Sequence, residues 1–339
     1  MITEKLDCIG AYEDAVSRAA EILIQGGIVA VPTETVYGLA ASALDGNAIK
    51  KVFAAKGRPQ DNPLIVHISD MQMLQNVAKD IPDVAYKLAE HFWPGPFTMV
   101  LARADLVHKS VSAGLDTVAV RMPSDRVICD IIRKSGLPLA APSANVSGVP
   151  SPTSAQHVIA DLDGKIDAVV CGKDCTVGVE STVVSIDGDN VRLLRPGAVT
   201  AEQIKSVVGN LTVDSAVLAE PEKGKAVSSP GMKYKHYAPK TETFLVEGDG
   251  DKFAEFVNSR ENCVAICFDA DAEKITVPKI CYGDGEHAET LAKGVFAALR
   301  KSDDIHTDAV YVHAPSKTGV GLAVYNRLIR AAGYKVIKL

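Results

Sequence analysis

The sequence predicts an α/β protein of the α+β kind. It has an N-terminal twisted sheet with helices, joined by a long linker to a small, doubly wound C-terminal α/β domain. Three observations carry that expectation. The length of 339 residues suggests two domains at roughly 100–200 residues each. Helix-period and strand-like segments alternate through residues 1–205, with hairpin signals mixed in. An irregular, breaker-rich stretch over 206–240 then gives way, over 241–339, to a clean alternation of strand and helix.

In chain order, residues 13–25 place Ala15, Ala19, Ile22 and Leu23 at helical spacing and stop at Gly26-Gly27. Residues 28–31 form a short apolar strand closed by Pro32, and 64–68 are a second apolar run. Residues 83–92 read as a helix capped by Asp83 and ended by Trp93-Pro94-Gly95-Pro96, after which 97–101 resume as strand. A strand over 117–122 is closed by Pro123. The apolar runs 183–186 and 191–194 flank Asp187-Gly188-Asp189-Asn190 as a hairpin. Thr200-Ala201-Glu202-Gln203 has the capping-box spacing of a helix start. Beyond the linker, 243–246 and 264–268 read as strands around a helix at 252–260. The range 287–300 is a helix with Leu291, Val295 and Leu299 on one stripe; 309–312 is a strand, 321–332 a helix and 334–337 the last strand.

Composition narrows the function classes. Apolar residues make up 47% and charged residues 23% of the chain, ordinary for a globular protein and unlike a disordered or fibrous one. The 36 Lys and Arg against 42 Asp and Glu give a net charge of −6, so no basic coat is available for nucleic acid. Any bound anion must be held by a few gathered cations. No stretch reaches the ~18 consecutive apolar residues that cross a bilayer, and Met1-Ile2-Thr3-Glu4-Lys5-Leu6-Asp7 lacks a secretory layout. The seven cysteines are scattered and lack zinc-site spacing, which reads as small buried hydrophobes. A soluble, reduced, cytoplasmic protein without membrane contact is expected.

Several loops leave apolar strands carrying small polar or cationic residues, the places where a rigid sheet presents a ligand site. Pro32-Thr33-Glu34-Thr35-Val36-Tyr37-Gly38-Leu39 offers hydroxyl and backbone donors, or else a turn with a helix cap. Lys56-Gly57-Arg58-Pro59 sets a point charge and a guanidinium fork around a glycine, which suits a polyphosphate, although taken alone a solvated basic turn is the commoner use of such a motif. Arg121 at the end of an apolar strand needs an anion, either a structural carboxylate or a ligand. His67 reads as a satisfied core histidine or a functional one. Ala141-Pro142-Ser143-Ala144-Asn145-Val146-Ser147-Gly148, Gly178-Val179-Glu180-Ser181-Thr182 and Arg195-Pro196-Gly197 repeat the theme. A phosphate loop is lacking, since Ser316-Lys317-Thr318-Gly319 has no glycine-rich turn before it. Gly319-Val320-Gly321 lacks the third glycine of the dinucleotide fingerprint. Within the linker, Tyr234, Lys235, His236 and Tyr237 crowd together, which is unusual for a passive connector.

Taken together, Lys56-Gly57-Arg58 followed by Ser143-Ala144-Asn145 resembles the Lys-x-Arg…Ser-x-Asn pattern of the YrdC family. The Pro32–Leu39, Trp93–Pro96 and Gly178–Thr182 loops resemble that family's loops as well. Pro230-Gly231-Met232-Lys233-Tyr234-Lys235-His236-Tyr237-Ala238-Pro239 is similar to the linker of its longer, two-domain form, the threonylcarbamoyl-AMP synthases. The resemblance implies a YrdC-like catalytic domain at 1–205, a linker over 206–240 able to act as an active-site lid, and a Rossmann-like domain at 241–339. It also implies a nucleotidyltransferase that joins L-threonine, bicarbonate and ATP, with Mg²⁺, into threonylcarbamoyl-AMP and pyrophosphate. A downstream tRNA threonylcarbamoyl transferase complex would use the product on the adenosine beside the anticodon, with weak or no direct tRNA binding here. The resemblance places Thr33, His67, Arg121, Ala141 and Ser181 around threonine. It puts Lys56 and Arg58, the expected catalytic pair, on the phosphates. Thr117, Ser143, Asn145, Ser151, Arg195 and Tyr234 join them around ATP, and the metal ligands remain unassigned.

Overall fold

The computed structural model describes residues 2–219 and 237–339. In the first domain β1 (Glu4–Asp7), α1 (Tyr12–Ile24), β2 (Val29–Val31), β3 (Gly38–Ser42) and α2 (Gly46–Lys56) come first. Then follow β4 (Ile65–His67), α3 (Met71–Val77), β5 (Ala78–Lys79), α4 (Asp83–Phe92) and the long strand β6 (Phe97–Arg103). β7 (Thr117–Arg121), α5 (Arg126–Ser135), β8 (Leu139–Ala140), α6 (Ala155–Leu162) and β9 (Ala168–Cys171) continue the domain. It closes with β10 (Thr182–Asp187), β11 (Asn190–Arg195), α7 (Ala201–Val208) and β12 (Leu211–Val213).

Among the described residues these strands form one sheet in the order β1-β9-β2-β3-β8-β4-β7-β6-β10-β11-β12, with β5 beside β6. Pairing is mixed. β2/β9, β4/β7, β6/β10 and β11/β12 are parallel, and β2/β3, β6/β7 and β10/β11 antiparallel. Side chains alternate across it as a pleat requires. Val29 and Val31 join a core with α1 and α5 (Leu23, Ile128, Ile132), whereas Ala30 joins one with α2 and α4 (Val52, Phe53, Leu88).

The second domain holds β13 (Glu242–Glu247), α8 (Gly250–Asn258), β14 (Cys263–Cys267), β15 (Lys279–Cys281), α9 (Ala288–Ser302), β16 (Ala309–His313), α10 (Gly319–Ala331) and β17 (Val336–Lys338). Its strands run parallel in the order β15-β14-β16-β13-β17. Phe253 and Val257 of α8 pack on one face, and Leu291, Val295 and Leu328 of α9 and α10 on the other. The doubly wound domain read from the sequence is therefore present.

Regular structure runs past residue 205, where the sequence reading placed the end of the catalytic domain. The Thr200/Gln203 capping box starts α7, which continues to Val208, and β12 then pairs with β11. All seven cysteines are free; five are buried, Cys171 is half-buried and Cys281 is exposed. No described helix is long and apolar enough to cross a membrane.

Candidate active site

The loops singled out in the sequence converge because neighbouring strands deliver them to one place. β4 and β7 run parallel with His67 opposite Arg121, and Thr98 of β6 lies opposite Arg121 on the other side. Ser181 precedes β10 and Arg195 ends β11. Beside these strand ends lies a cleft of about 680 Å³, open to solvent. Thr33, Arg58, His67, Arg121, Ala141, Ser143, Asn145, Ser151, Ser181 and Arg195 all line it. Thr117 does not. It is the exposed first residue of β7, four residues from Arg121 and so about 13 Å away at a strand's ~3.3 Å rise. Tyr234 and the rest of 220–236, on which the expected lid mostly falls, lie outside the described residues.

Arg121 is buried and its anion is Glu34, at 2.7 Å. Its Nη1 donates to Thr35 Oγ1 at 2.9 Å and its Nε to Gly95 O at 3.2 Å. The Trp93–Pro96 turn therefore serves to bring a carbonyl to this arginine. Thr33 Oγ1 donates to Val36 O at 2.7 Å, so in the 2.8 Å contact with Thr35 it is the acceptor. The hydroxyls thus form a relay fixed at one end by the guanidinium. Burial works to raise the Glu34 carboxyl, but Arg121 and the Ser124 N–H outweigh it and hold it below the ordinary range. Burial, then the nearby Arg121 charge, lowers His67 to about 3, so the ring is neutral at physiological pH, and its Nδ1 has no hydrogen-bond partner among the described residues.

Lys56 and Arg58 part company at Gly57. α2 ends there because Gly57 adopts φ +59°, a left-handed cap that costs glycine little, with the Arg58 N–H closing on Phe53 O at 3.0 Å. The reversal leaves Lys56 facing inward and Arg58 facing the cleft, where Arg58 donates to Pro63 O at 3.2 Å. Lys56 is fully buried and does not line the cleft. Its Nζ donates to Ser143 O, to Asn145 O at 2.7 Å and to Asn145 Oδ1 at 3.4 Å. Burial, and then Arg58, push its pKa well below lysine's usual value. The three oxygens still match the three hydrogens of an ammonium. Lys56 thus staples the Ser143–Asn145 loop. Asn145 is pinned further by Nδ2 bonds to Val146 O and Val149 O.

Elsewhere in the cleft Arg195 donates to Ser181 O at 3.1 Å and Ser181 Oγ at 3.2 Å, and Ser181 also meets Thr98 Oγ1 at 2.8 Å. Burial and then Arg327 lower Arg195 to about 10, so it stays charged at neutral pH. Glu180 accepts from Ser151 Oγ at 2.6 Å and pairs with Arg327 at 2.8 Å. Tyr237 lines the cleft and packs on Phe296 of α9, with ring centroids 5.1 Å apart.

Sequence reasoning missed Glu34, Glu180 and Arg327 as functional neighbours. Glu34 was within reach, because a buried arginine asks for a carboxylate and Glu34 stands in the loop already singled out. Arg327 gave no signal, since α10 reads as an ordinary amphipathic helix.

A mixed twisted sheet with a polar, arginine-lined cleft at its strand ends, backed by a doubly wound second domain, defines the class. Residues 21–197 match the Sua5/YciO/YrdC family model, described as telomere recombination. Residues 199–333 match that of the threonylcarbamoyl-AMP synthase C-terminal domain. The chain belongs to the two-domain threonylcarbamoyl-AMP synthase family. It is 44% identical to the Pyrococcus abyssi threonylcarbamoyl-AMP synthase, over 95% of both chains. It is 43% identical to that of Bacillus subtilis, over 98% of this chain and 97% of the relative. The crystal structure of P. abyssi Sua5 complexed with L-threonine is 41% identical, with a TM-score of 0.91 and 100% of both chains covered.

Proposed function

We infer that this chain makes threonylcarbamoyl-AMP and pyrophosphate from L-threonine, bicarbonate and ATP. The observation that carries the reading is that hydroxyls and guanidinium groups far apart in the chain meet in one cleft. They do so in a chain 44% identical to a synthase over 95% of its length.

The chemistry asks for positioning and fixed charge more than for acid–base work. Threonine's neutral amine adds to the carbon of bicarbonate; with a proton from the amine, one oxygen leaves as water and a carbamate remains. A carbamate oxygen then attacks the α-phosphorus of ATP, and the bond to pyrophosphate breaks. Arg121 spends N–H groups on Thr35, Gly95 and Glu34. A guanidinium has five in all, so it retains donors for threonine's carboxylate. His67, neutral and with its Nδ1 lacking a partner among the described residues, stands beside it. Arg58, Ser143, Asn145, Ser151 and Arg195 form the nucleotide end, with Lys56 acting through the loop it holds. Ala141 and Ser181 join Thr33, His67 and Arg121 around threonine.

We assign Mg²⁺ to the triphosphate of the substrate. No three His, Cys, Asp or Glu gather as a metal site among the described residues. The unstable adenylate is released in the cytoplasm to a separate transferase that carries the group to tRNA.

The test is pyrophosphate release from ATP by the full chain, with threonine and bicarbonate supplied or withheld. Release that needs both supports the reading. Release indifferent to threonine would refute it.

A further inference from the structure

Glu180 and Arg195 face the cleft from the first domain, yet the group that sets them comes from the second. Arg327 on α10 has no exposed surface. Its Nε donates to Glu180 Oε2 at 2.8 Å, its Nη2 to Glu180 O at 3.2 Å and its Nη1 to Pro196 O at 2.8 Å. Glu180 Oε1 in turn accepts from Ser151. One guanidinium thereby fixes a carboxylate, the serine behind it and the loop that follows Arg195.

The seam around this contact is tight. Gly178, at φ +85°, lies so close to α9 that a Cβ there would sit 2.4 Å from Ala292 O. Val36 and Val179 share an apolar cluster with Val295, Phe296 and Val324. Arg300 of α9 grips Asp161 at 2.7 Å and Pro150 O at 2.6 Å, next to Ser151.

We propose that Arg327 is a positioning residue of the nucleotide end: by neutralising Glu180 it lets a buried carboxylate stand beside a triphosphate, so the second domain is part of the active site's electrostatics. The proposal rests on the reading above, in which Ser151 and Arg195 meet ATP and Arg121 meets threonine. Without Arg327 the carboxylate would face the phosphates unpaired in a region of low dielectric, where like charges repel strongly. Lys56, Arg195 and Tyr237 are the other titratable groups whose charges interact with Glu180. Of these, Arg195 already serves Ser181.

The experiment is steady-state kinetics on the full chain for R327M, R327K and the R327M/E180Q pair, with ATP binding measured in parallel by calorimetry. R327M should raise the ATP KM and Kd about tenfold or more and move the threonine KM less than about twofold. Adding E180Q should recover most of that loss, because a neutral amide still accepts from Ser151 and repels nothing. In R327M alone, Glu180 has lost a cation, so its pKa rises. ATP binding should therefore improve as pH falls, a trend the wild type lacks.

Equal losses for both substrates, with no recovery on adding E180Q, would reduce Arg327 to a brace and overturn the proposal. Should R327M not fold, R327K decides. It keeps the charge but not the fork, so the ATP KM should stay within about threefold of wild type, and a rise of about tenfold that adding E180Q does not recover contradicts the proposal. A wild type without threonine-dependent turnover would instead sink the functional reading, and the calorimetric series would still judge Arg327.

Discussion

Arg121 and Glu34 show what a buried charge demands of its surroundings. Neither group could be buried alone, and each is held by the other and by backbone groups from two further loops. Arg121→Ala removes one member and leaves a carboxylate stranded, which typically costs about 3–5 kcal/mol. Urea unfolding should show a loss of that order, and threonine KM should rise with little change in ATP KM. Arg121→Lys keeps the charge but not the fork, so it should regain stability more than threonine binding. His67 gives a second prediction. Its folded pKa, about 3, lies below the ordinary 6.5, so folding opposes protonation and the histidine's share of stability is lost as pH falls from 6.5 towards 3. The ring's NMR shifts should therefore stay flat between about pH 5 and 8, the range in which an unperturbed histidine titrates. A midpoint inside that range contradicts the site as described.

Among the elements, the turn that ends α2 sorts two cations into different jobs. Gly57→Ala places a Cβ at φ +59°, where nothing crowds it and the cost is conformational alone. That cost is about 1 kcal/mol, visible as a lowered denaturation midpoint, and activity should fall further because Lys56 and Arg58 shift together. The same turn marks how far the sequence could be read. Its residues announced a stiff cationic loop, but which cation faced inward depended on the helical register of α2, an element the apolar pattern did not reveal. Other missed elements have similar causes. β3 is Gly-Leu-Ala-Ala-Ser and buried throughout, so it shows no alternation, and β8 has only two residues. By contrast α4, β6, β7 and the β10–β11 hairpin lie where helical spacing, prolines and the Asp-Gly turn placed them, although Asp83 is not the cap of α4: Pro82 holds that position without a side-chain bond and Asp83 is the first helical residue. The candidate site was legible wherever a loop carried its own chemistry. It was illegible where position along a strand decided, as for Thr117, and where a partner came from another domain, as for Arg327.

Over the whole molecule, the two domains are joined through a buried ion pair, Glu180–Arg327, whose strength depends on pH. Burial raises Glu180, but Arg327 and Arg195 outweigh it and bring its pKa from 4.5 to about 2. Its stabilisation is therefore full above about pH 4.5 and is lost as pH falls towards about 2, on the order of 3 kcal/mol. Denaturation midpoints of the wild type should drop through that window, and those of Glu180→Gln should drop less. The apolar seam around Val36 and Val179 packs the domains together, and scanning calorimetry of the wild type is expected to show one transition, with two separate transitions as the contrary result.

The central claim, that one cleft brings a threonine carbamate to ATP, is tested most directly with ¹³C-bicarbonate and mass spectrometry of the product. The account predicts an adenylate that contains threonine and one labelled carbon, formed in equal amount with pyrophosphate. An adenylate lacking the label, or pyrophosphate without any threonine adduct, would contradict it.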